Sequence, residues 1–238
     1  MDELAKALQF GYFERKATFP EGLTLEQIAK RLVKGEFIAD PQEFLALKSD
    51  PELVELTRAQ APTIEGFLFP DTYFFEPGMS VRDITKRMMH SFNAQVDDAI
   101  SSPSLTLGKP LTRLELVTLA SMIEREARST AEMPLMASVY YNRLKRKMKM
   151  ECDATVRYAM NMWDRPVTYK DLAFDSPYNT YRHKGLPPGP ICNPSIEAIR
   201  AAAHPEKSEY LFYVYRGDGT HEYTKTYEEH LVAVKKYS

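Results

Sequence analysis

The sequence predicts an α+β protein that is mainly helical and carries small β elements. Two observations lead to this class. Apolar residues recur at helical spacing in several segments that begin with a capping residue. Shorter runs rich in aromatic residues alternate in polarity and flank turns that contain glycine or proline, which is typical of strands. The length of 238 residues suits one large domain, or one domain with a smaller unit beside it.

Composition and charge narrow the class of protein further. Hydrophobic residues make up 44% of the chain and charged residues 27%, as in globular proteins. No apolar run approaches the roughly 18 residues that a membrane-spanning helix requires, and no signal peptide opens the chain. The net charge of −2 argues against a nucleic-acid partner, so the basic run at 145–149 is interpreted as a solvated helix end. Cys152 and Cys192 form no metal-binding pattern and are either buried free thiols or a disulfide.

Residues 1–60 form a predicted small unit at the start of the chain. A strand at 13–19 leads into a turn and then a helix, which Thr24 caps with Gln27 three residues later, the pattern of a capping box. A second short helix begins at Pro41. Because a strand and two small helices bury little area, we expect this unit to pack on the rest of the chain.

An aromatic segment at 63–76 opens the larger part of the chain. Alternate residues along it are aromatic, as in a half-buried strand interrupted at a proline: Phe67, Phe69, Tyr73 and Phe75. Two carboxylates lie in this apolar setting. Asp71 is expected to bond its own turn backbone. For Glu65, a structural role and a role in binding remain open.

The central element is an apolar helix predicted at 114–128. One buried stripe follows from residues at helical spacing: Leu116, Leu119, Ala120, Ile123 and Ala127. Glu124 and Glu126 fall about 80° to either side of the centre of this stripe. Such a position favours a raised carboxyl pKa, which suits a general acid. The alternative is that both are solvated flank residues, one of them paired with Arg125 or Arg128.

The remaining elements follow from caps, periodicity and turn signals. Helices are predicted at 80–96, 133–145, 154–160, 196–203 and 227–236, and a hairpin joins strands 210–215 and 221–223 through a D-G turn. Asp153 is interpreted as the N-cap of the helix at 154–160, with a second catalytic carboxylate as the alternative.

A stiff loop is predicted at 175–195, where five prolines and two glycines break regular structure. Tyr178, Asn179 and Tyr181 offer stacking faces and hydrogen-bonding groups that suit a groove for a polar polymer. The alternative is a belt that wraps the core. His183 is given little weight as a metal ligand, since no second His or Cys lies at ligand spacing.

With these segments in view, the chain resembles the YceG-like family of endolytic murein transglycosylases over residues 20–238. The motifs that carry the resemblance are E-G-F-L-F-P-D-T-Y (65–73), L-A-S-M-I-E-R-E-A (119–127), Y-N-R-L (141–144), D-A-T-V (153–156), Y-N-T-Y with G-L-P-P-G-P-I (178–191) and A-A-A-H-P (201–205). Several motifs in the right order make this a specific signal. The resemblance implies a LysM-like module over 1–60, entered part-way, and a lysozyme-like catalytic domain over 61–238.

The resemblance also implies a reaction. The family cleaves the β-1,4 bond between N-acetylmuramic acid and N-acetylglucosamine within glycan strands and leaves 1,6-anhydromuramic ends, without a cofactor or a metal. One glutamic acid acts as acid and then as base. Glu126 is favoured because it precedes a small residue, although the hydroxyl residue that is common there is replaced by Ala127. Glu124 is the reserve candidate.

The residues expected to bind the substrate are Tyr178, Asn179, Tyr181, Glu65 and Asp153. The implied partners are peptidoglycan strands and wall synthases, with a catalytic domain on the periplasmic or extracellular side. Family members usually carry an N-terminal membrane anchor, so the resemblance implies a protein held in the cell membrane, although no such segment is found within these 238 residues. Two other functions remain open: a hydrolase using water activated by Asp153 or Glu65, and a non-catalytic glycan-binding scaffold.

Overall fold

The computed structural model describes residues 14–101, 103 and 107–237. Its elements in chain order are β1 (Arg15–Phe19), α1 (Leu25–Lys34), α2 (Pro41–Leu45), α3 (Pro51–Leu56), β2 (Asp71–Phe75), α4 (Val81–Ala99), α5 (Arg113–Glu126), α6 (Met133–Lys145), α7 (Asp153–Ala159), α8 (Ile196–Ala203), β3 (Phe212–Tyr215), β4 (His221–Thr224) and α9 (Tyr227–Tyr237). Short 3₁₀ turns lie at Thr130–Glu132 and Asp171–Ala173. The predicted α+β class, mainly helical with small sheets, is confirmed.

Two antiparallel pairs make up the β structure of the described residues. β1 pairs with β2, with Ala17 opposite Tyr73, and β3 pairs with β4 across the predicted D-G turn. β1 begins at Arg15, while Phe13 of the predicted strand lies outside the described residues. The first pair joins a strand from before residue 60 to one from after it. The two regions also share one hydrophobic core, as expected for a small unit that cannot bury enough area by itself. The division at residue 60 stays a prediction.

Helix α5 lies at the centre of the larger region and packs on α6, α7 and α8. Its residues from Leu116 to Ile123 are all at most 2% exposed, so the helix is buried on every side rather than along one stripe. The predicted end at Arg128 is wrong by two residues. Ala127 is an extended cap with φ −62° and ψ 142°, which ends the helix at Glu126.

Two other predictions are wrong, and one helix was not predicted at all. The aromatic run at 67–69 is a loop rather than a strand, because Gly66 turns the chain with φ +88° and Phe67 packs against Phe92 at 5.4 Å between ring centres. Helix α3 was not predicted, although Asp50 caps it and Pro51 opens it. Asp153 is the first helical residue of α7 and makes no capping bond, since Cys152 occupies the cap position.

Long-range contacts hold the proline-rich loop in place, and it has little regular structure, as predicted. Asn193 accepts a hydrogen bond from the Leu68 amide and donates to the Leu23 carbonyl, which ties the loop to the start of the chain. Cys152 and Cys192 are both buried free thiols, so the disulfide alternative is wrong. None of the helices in the described ranges has the length and apolar character that crossing a bilayer requires.

Candidate active site

Glu126 lies at the C-terminal end of α5, where its carboxyl receives hydrogen bonds from three directions. The Cys152 thiol and the Ala154 amide donate to Oε1, each at 3.3 Å, and the Tyr213 hydroxyl donates to Oε2 at 3.2 Å. Tyr213 is in turn 2.8 Å from the hydroxyl of buried Tyr140. The carboxyl is therefore held by α7 on one side and by the β3 strand on the other.

The surroundings of Glu126 favour its protonated form. Burial raises the pKa of the carboxyl, the thiol hydrogen bond of Cys152 opposes this, and the negative charge of Asp153 raises the pKa further. A carboxylic acid with a raised pKa keeps its proton nearer to neutral pH, as a general acid must. Glu126 is thus equipped to give a proton to a bound substrate.

Two adjoining clefts open at this carboxyl. The first, called the aromatic cleft here, has a volume of about 290 Å³ and is lined by Tyr181, Phe212, Tyr227 and His230 among others. The second, called the arginine cleft, has a volume of about 220 Å³ and is lined by Arg125, Arg128, Arg157, Trp163 and Tyr215 among others. Glu126, Asp153 and Tyr213 line both clefts. The arrangement is a groove with an acid at its middle, one aromatic half and one cationic half.

Glu124 lies two residues earlier on the same helix and has a different environment. Its Oε2 accepts hydrogen bonds from the amide and the hydroxyl of Ser195, at 2.9 and 2.5 Å. Ser195 is the N-cap of α8, so Glu124 connects the end of α5 to the start of α8. Burial raises the pKa of Glu124 as well, but neither cleft is lined by this residue. Its contacts are those of a structural brace.

Glu65 belongs to a separate cavity of about 480 Å³, which Tyr158 and Tyr178 also line. The side chain is 2% exposed and accepts hydrogen bonds from the Leu25 amide, the Asn193 side chain and the Tyr158 hydroxyl. Burial raises its pKa to about 7. The structure therefore does not bring Glu65 and Tyr178 into the groove of Glu126. They join α1, α7 and the proline-rich loop instead.

The other candidate residues divide between groove and interior. Tyr181 lines the aromatic cleft, and its hydroxyl donates to Asp153 at 2.7 Å. Asn179 is fully buried, and its side-chain amide donates to the carbonyls of Leu172 and Phe174, at 3.0 and 2.7 Å. Both amide hydrogens bind the segment just before the loop, so Asn179 fixes the start of the loop and offers no surface to a ligand.

Sequence reasoning did not identify several residues of the groove. Tyr213 is the most important of these, because it contacts Glu126 from 87 positions along the chain. The aromatic pattern of its strand indicated only a hairpin. Arg125 and Arg128 were considered only as partners of the two glutamates, and Trp163 was not considered. Within the described residues, no three His, Cys, Asp or Glu side chains are placed to hold a metal ion.

Comparisons with known proteins agree with one another. The model of the YceG-like family matches residues 1–236. An endolytic murein transglycosylase of Bacillus subtilis (strain 168) is 37% identical over 234 residues, which cover 92% of this chain and 64% of the relative. An endolytic murein transglycosylase of Streptococcus pneumoniae serotype 2 (strain D39) is 32% identical, over 83% of this chain and 40% of the relative. The chain thus spans under two thirds of the length of these relatives.

A solved structure is similar over nearly the whole chain. The crystal structure of a YceG-like protein from Listeria monocytogenes, at 2.6 Å resolution, superposes with a TM-score of 0.83 at 34% sequence identity. The match covers 97% of this chain and 80% of the Listeria chain. The arrangement of helices and small sheets described above is therefore that of a solved relative.

Proposed function

The chain belongs to the YceG-like family, and from this premise we propose that it is a lytic transglycosylase that cuts peptidoglycan strands internally. The bond cleaved is the β-1,4 bond between N-acetylmuramic acid and N-acetylglucosamine, and the product carries a 1,6-anhydromuramic end. The observation that carries the proposal is the position of Glu126. It is a carboxyl with a raised pKa at the middle of the groove, open to both clefts.

The reaction uses Glu126 twice. The protonated carboxyl gives its proton to the glycosidic oxygen as the bond from C1 to that oxygen breaks. The oxygen of the C6 hydroxyl of the same muramic acid then bonds to C1, and its proton passes to the Glu126 carboxylate, which restores the acid. The N-acetyl group of the substrate stabilises the cationic centre, so a second carboxylate as nucleophile is not needed, unlike in most glycosidases. No water is consumed.

Neighbouring residues support the two states of the acid. The hydrogen bonds from Ala154 and Tyr213 stabilise the carboxylate between the two proton transfers, while burial stabilises the protonated form before and after. Tyr181 offers a ring face for sugars in the aromatic cleft, whereas the Phe212 ring is stacked on His230 and lies beneath the Arg143 guanidinium. Glu65, Tyr178 and Asn179 take structural roles in this proposal, because their side chains lie in the interior or in the separate cavity.

The test compares two variants at positions two residues apart on α5. Glu126→Gln keeps the side-chain volume but removes the transferable proton, and we expect it to abolish release of anhydromuropeptides from purified peptidoglycan. Glu124→Gln is the matched control: it keeps an acceptor for Ser195 and should retain product formation. Circular dichroism of both variants checks that the fold survives. Activity in Glu126→Gln together with its loss in Glu124→Gln would transfer the role to Glu124.

A hydrolase is the second candidate function, and Asp153 is the observation that favours it. This exposed carboxylate lines both clefts beside Glu126 and is placed to activate a water. Mass spectrometry of the products separates the two reactions, since hydrolysis adds the mass of one water and anhydro formation does not. A non-catalytic scaffold would bind peptidoglycan and release no product with either chemistry.

The proposal also includes the domain division, the location and the partners that are usual in the family. Residues 1–60 correspond to a LysM-like module and 61–238 to a lysozyme-like catalytic domain. A peptidoglycan substrate places this activity outside the cytoplasm, with a membrane anchor of the kind that the family usually carries and with wall synthases as partners. Urea unfolding of the whole chain tests the domain division, since two separate domains would give two transitions and a single cooperative unit one.

A further inference from the structure

The arginine cleft carries positive charge from three arginines, which have no role in the proposed reaction. Arg125, Arg128 and Arg157 line one side of it, and the acidic residues among its lining, Glu126 and Asp153, are shared with the aromatic cleft. In the part of the chain that the structure describes, none of the three arginines forms an ion pair. Three unpaired guanidinium groups beside a small cleft attract anions.

Aromatic rings hold these guanidinium groups in place. The Cζ atoms of Arg125 and Arg157 lie 4.1 and 5.4 Å from the centre of the Trp163 ring, and that of Arg128 lies 4.8 Å from the centre of the Tyr215 ring. Stacking leaves the in-plane N–H groups of a guanidinium free to donate hydrogen bonds. The Nε of Arg125 is buried and has no partner among the described residues. Arg125 and Arg157 give some of their N–H groups to backbone carbonyls, whereas the Arg128 guanidinium makes no hydrogen bond among the described residues and is the main donor open to an acceptor.

We propose that the arginine cleft binds the free carboxylates of the stem peptide that muramic acid carries. The inference rests on the proposed function, which puts a glycan strand in the groove. Neutral N-acetylglucosamine gives three arginines nothing to pair with, whereas the stem peptide supplies planar carboxylates, which guanidinium groups bind in a bidentate manner. Because only muramic acid carries this peptide, the cleft also selects which sugars of the alternating strand lie beside Glu126.

Arg128 is the residue to change. Arg125 donates to the Gly22 carbonyl and Arg157 to the carbonyls of Met162 and Trp163, so replacing either would disturb the backbone. Arg128 is exposed and stacks on Tyr215. Arg128→Gln therefore removes one charge and leaves the fold intact. Arg146→Gln, at an exposed position that ends α6, removes the same charge away from the groove and is the matched control.

The kinetic experiment uses three forms of the same glycan strand: with stem peptides, with the peptides removed, and with the peptide carboxylates converted to amides. We expect wild type and Arg146→Gln to cleave the first form with a kcat/KM about tenfold higher than the other two, as for the loss of one charge-assisted hydrogen bond. Arg128→Gln should lose this preference through a higher KM. Equal cleavage of all three forms by wild type would overturn the inference, as would a preference that Arg128→Gln retains.

A binding measurement tests the proposed carboxylate site independently of catalysis. Calorimetry with a soluble muramyl peptide and its amidated form should show about tenfold tighter binding of the carboxylate form by wild type, with no such difference for Arg128→Gln. Equal affinity for the two forms overturns the inference even if the strand is cut. If no strand is cut but the carboxylate form binds more tightly, the proposed function fails and the anion-binding cleft stands.

Discussion

Replacing Glu65 by glutamine should remove a large part of the protein's pH-dependent stability. Burial raises the pKa of Glu65 from 4.5 to about 7 in the folded protein. Between these two pH values the folded state holds a proton that the unfolded state has lost. Stability therefore falls as pH rises through this window, and is fully present only below about pH 4.5.

The magnitude follows from the size of the pKa rise. At a little over 1 kcal/mol for each pKa unit, a rise from 4.5 to about 7 corresponds to roughly 3 kcal/mol in all. Between pH 5 and pH 8 the loss is somewhat smaller, on the order of 2 kcal/mol, because the unfolded side chain is already mostly ionised at pH 5. Glutamine imitates the protonated acid. It keeps one acceptor for the Leu25 amide and supplies one donor toward the Tyr158 oxygen.

The assay is urea unfolding of wild type and Glu65→Gln at pH 5 and at pH 8. The free energy of unfolding of wild type should decline by roughly 2 kcal/mol more than that of the variant over this interval. Glu55→Gln makes the same substitution at an exposed position of α3 that does not contribute to the pKa of Glu65, and should follow wild type. The reasoning is refuted if wild type and Glu65→Gln change by the same amount within about 0.5 kcal/mol, since extrapolated free energies vary by that much.

Two further substitutions test the site and the loop. Tyr213→Phe removes a hydrogen bond that lowers the pKa of Glu126. The alkaline limb of the pH–activity profile should therefore move to higher pH, while the rate falls about tenfold. An unchanged profile would contradict the role given to this hydroxyl. Gly66→Ala should cost about 3 kcal/mol or more in urea unfolding, because φ is +88° and the new Cβ would lie 2.3 Å from Pro190 Cβ. Gly78→Ala, with φ +81° and no atom within 4 Å, should cost only about 1 kcal/mol.

Local signals account for the parts of the fold that the sequence predicted well. Helices α1, α6 and α8 begin and end where their caps and periodicity indicated. Each of these boundaries depends on residues within one turn of the helix end. The loop at 66–70 was predicted as a strand because its aromatic residues alternate. Their alternation reflects burial against α4 and the proline-rich loop, which no local pattern reveals.

The choice between Glu124 and Glu126 shows why a helical wheel cannot locate a site. Both side chains are partly buried, and burial raises the pKa of both. They differ in partners that lie far along the chain: Ser195 for Glu124 and Tyr213 for Glu126. The resemblance to a family pointed to Glu126 through its neighbour Ala127. The structure supplies an independent reason to favour it, since Glu126 alone of the two opens onto the clefts.

The brace between Glu124 and Ser195 has a consequence for how α5 behaves during a reaction. It locks the last turn of that helix against rotation just where the chain leaves it in an extended conformation at Ala127. A carboxyl that releases one proton and takes up another from an oxygen a few ångströms away works best when the helix that carries it is rigid. In the proposed reaction, little reorganisation of α5 would then be needed between the two proton transfers.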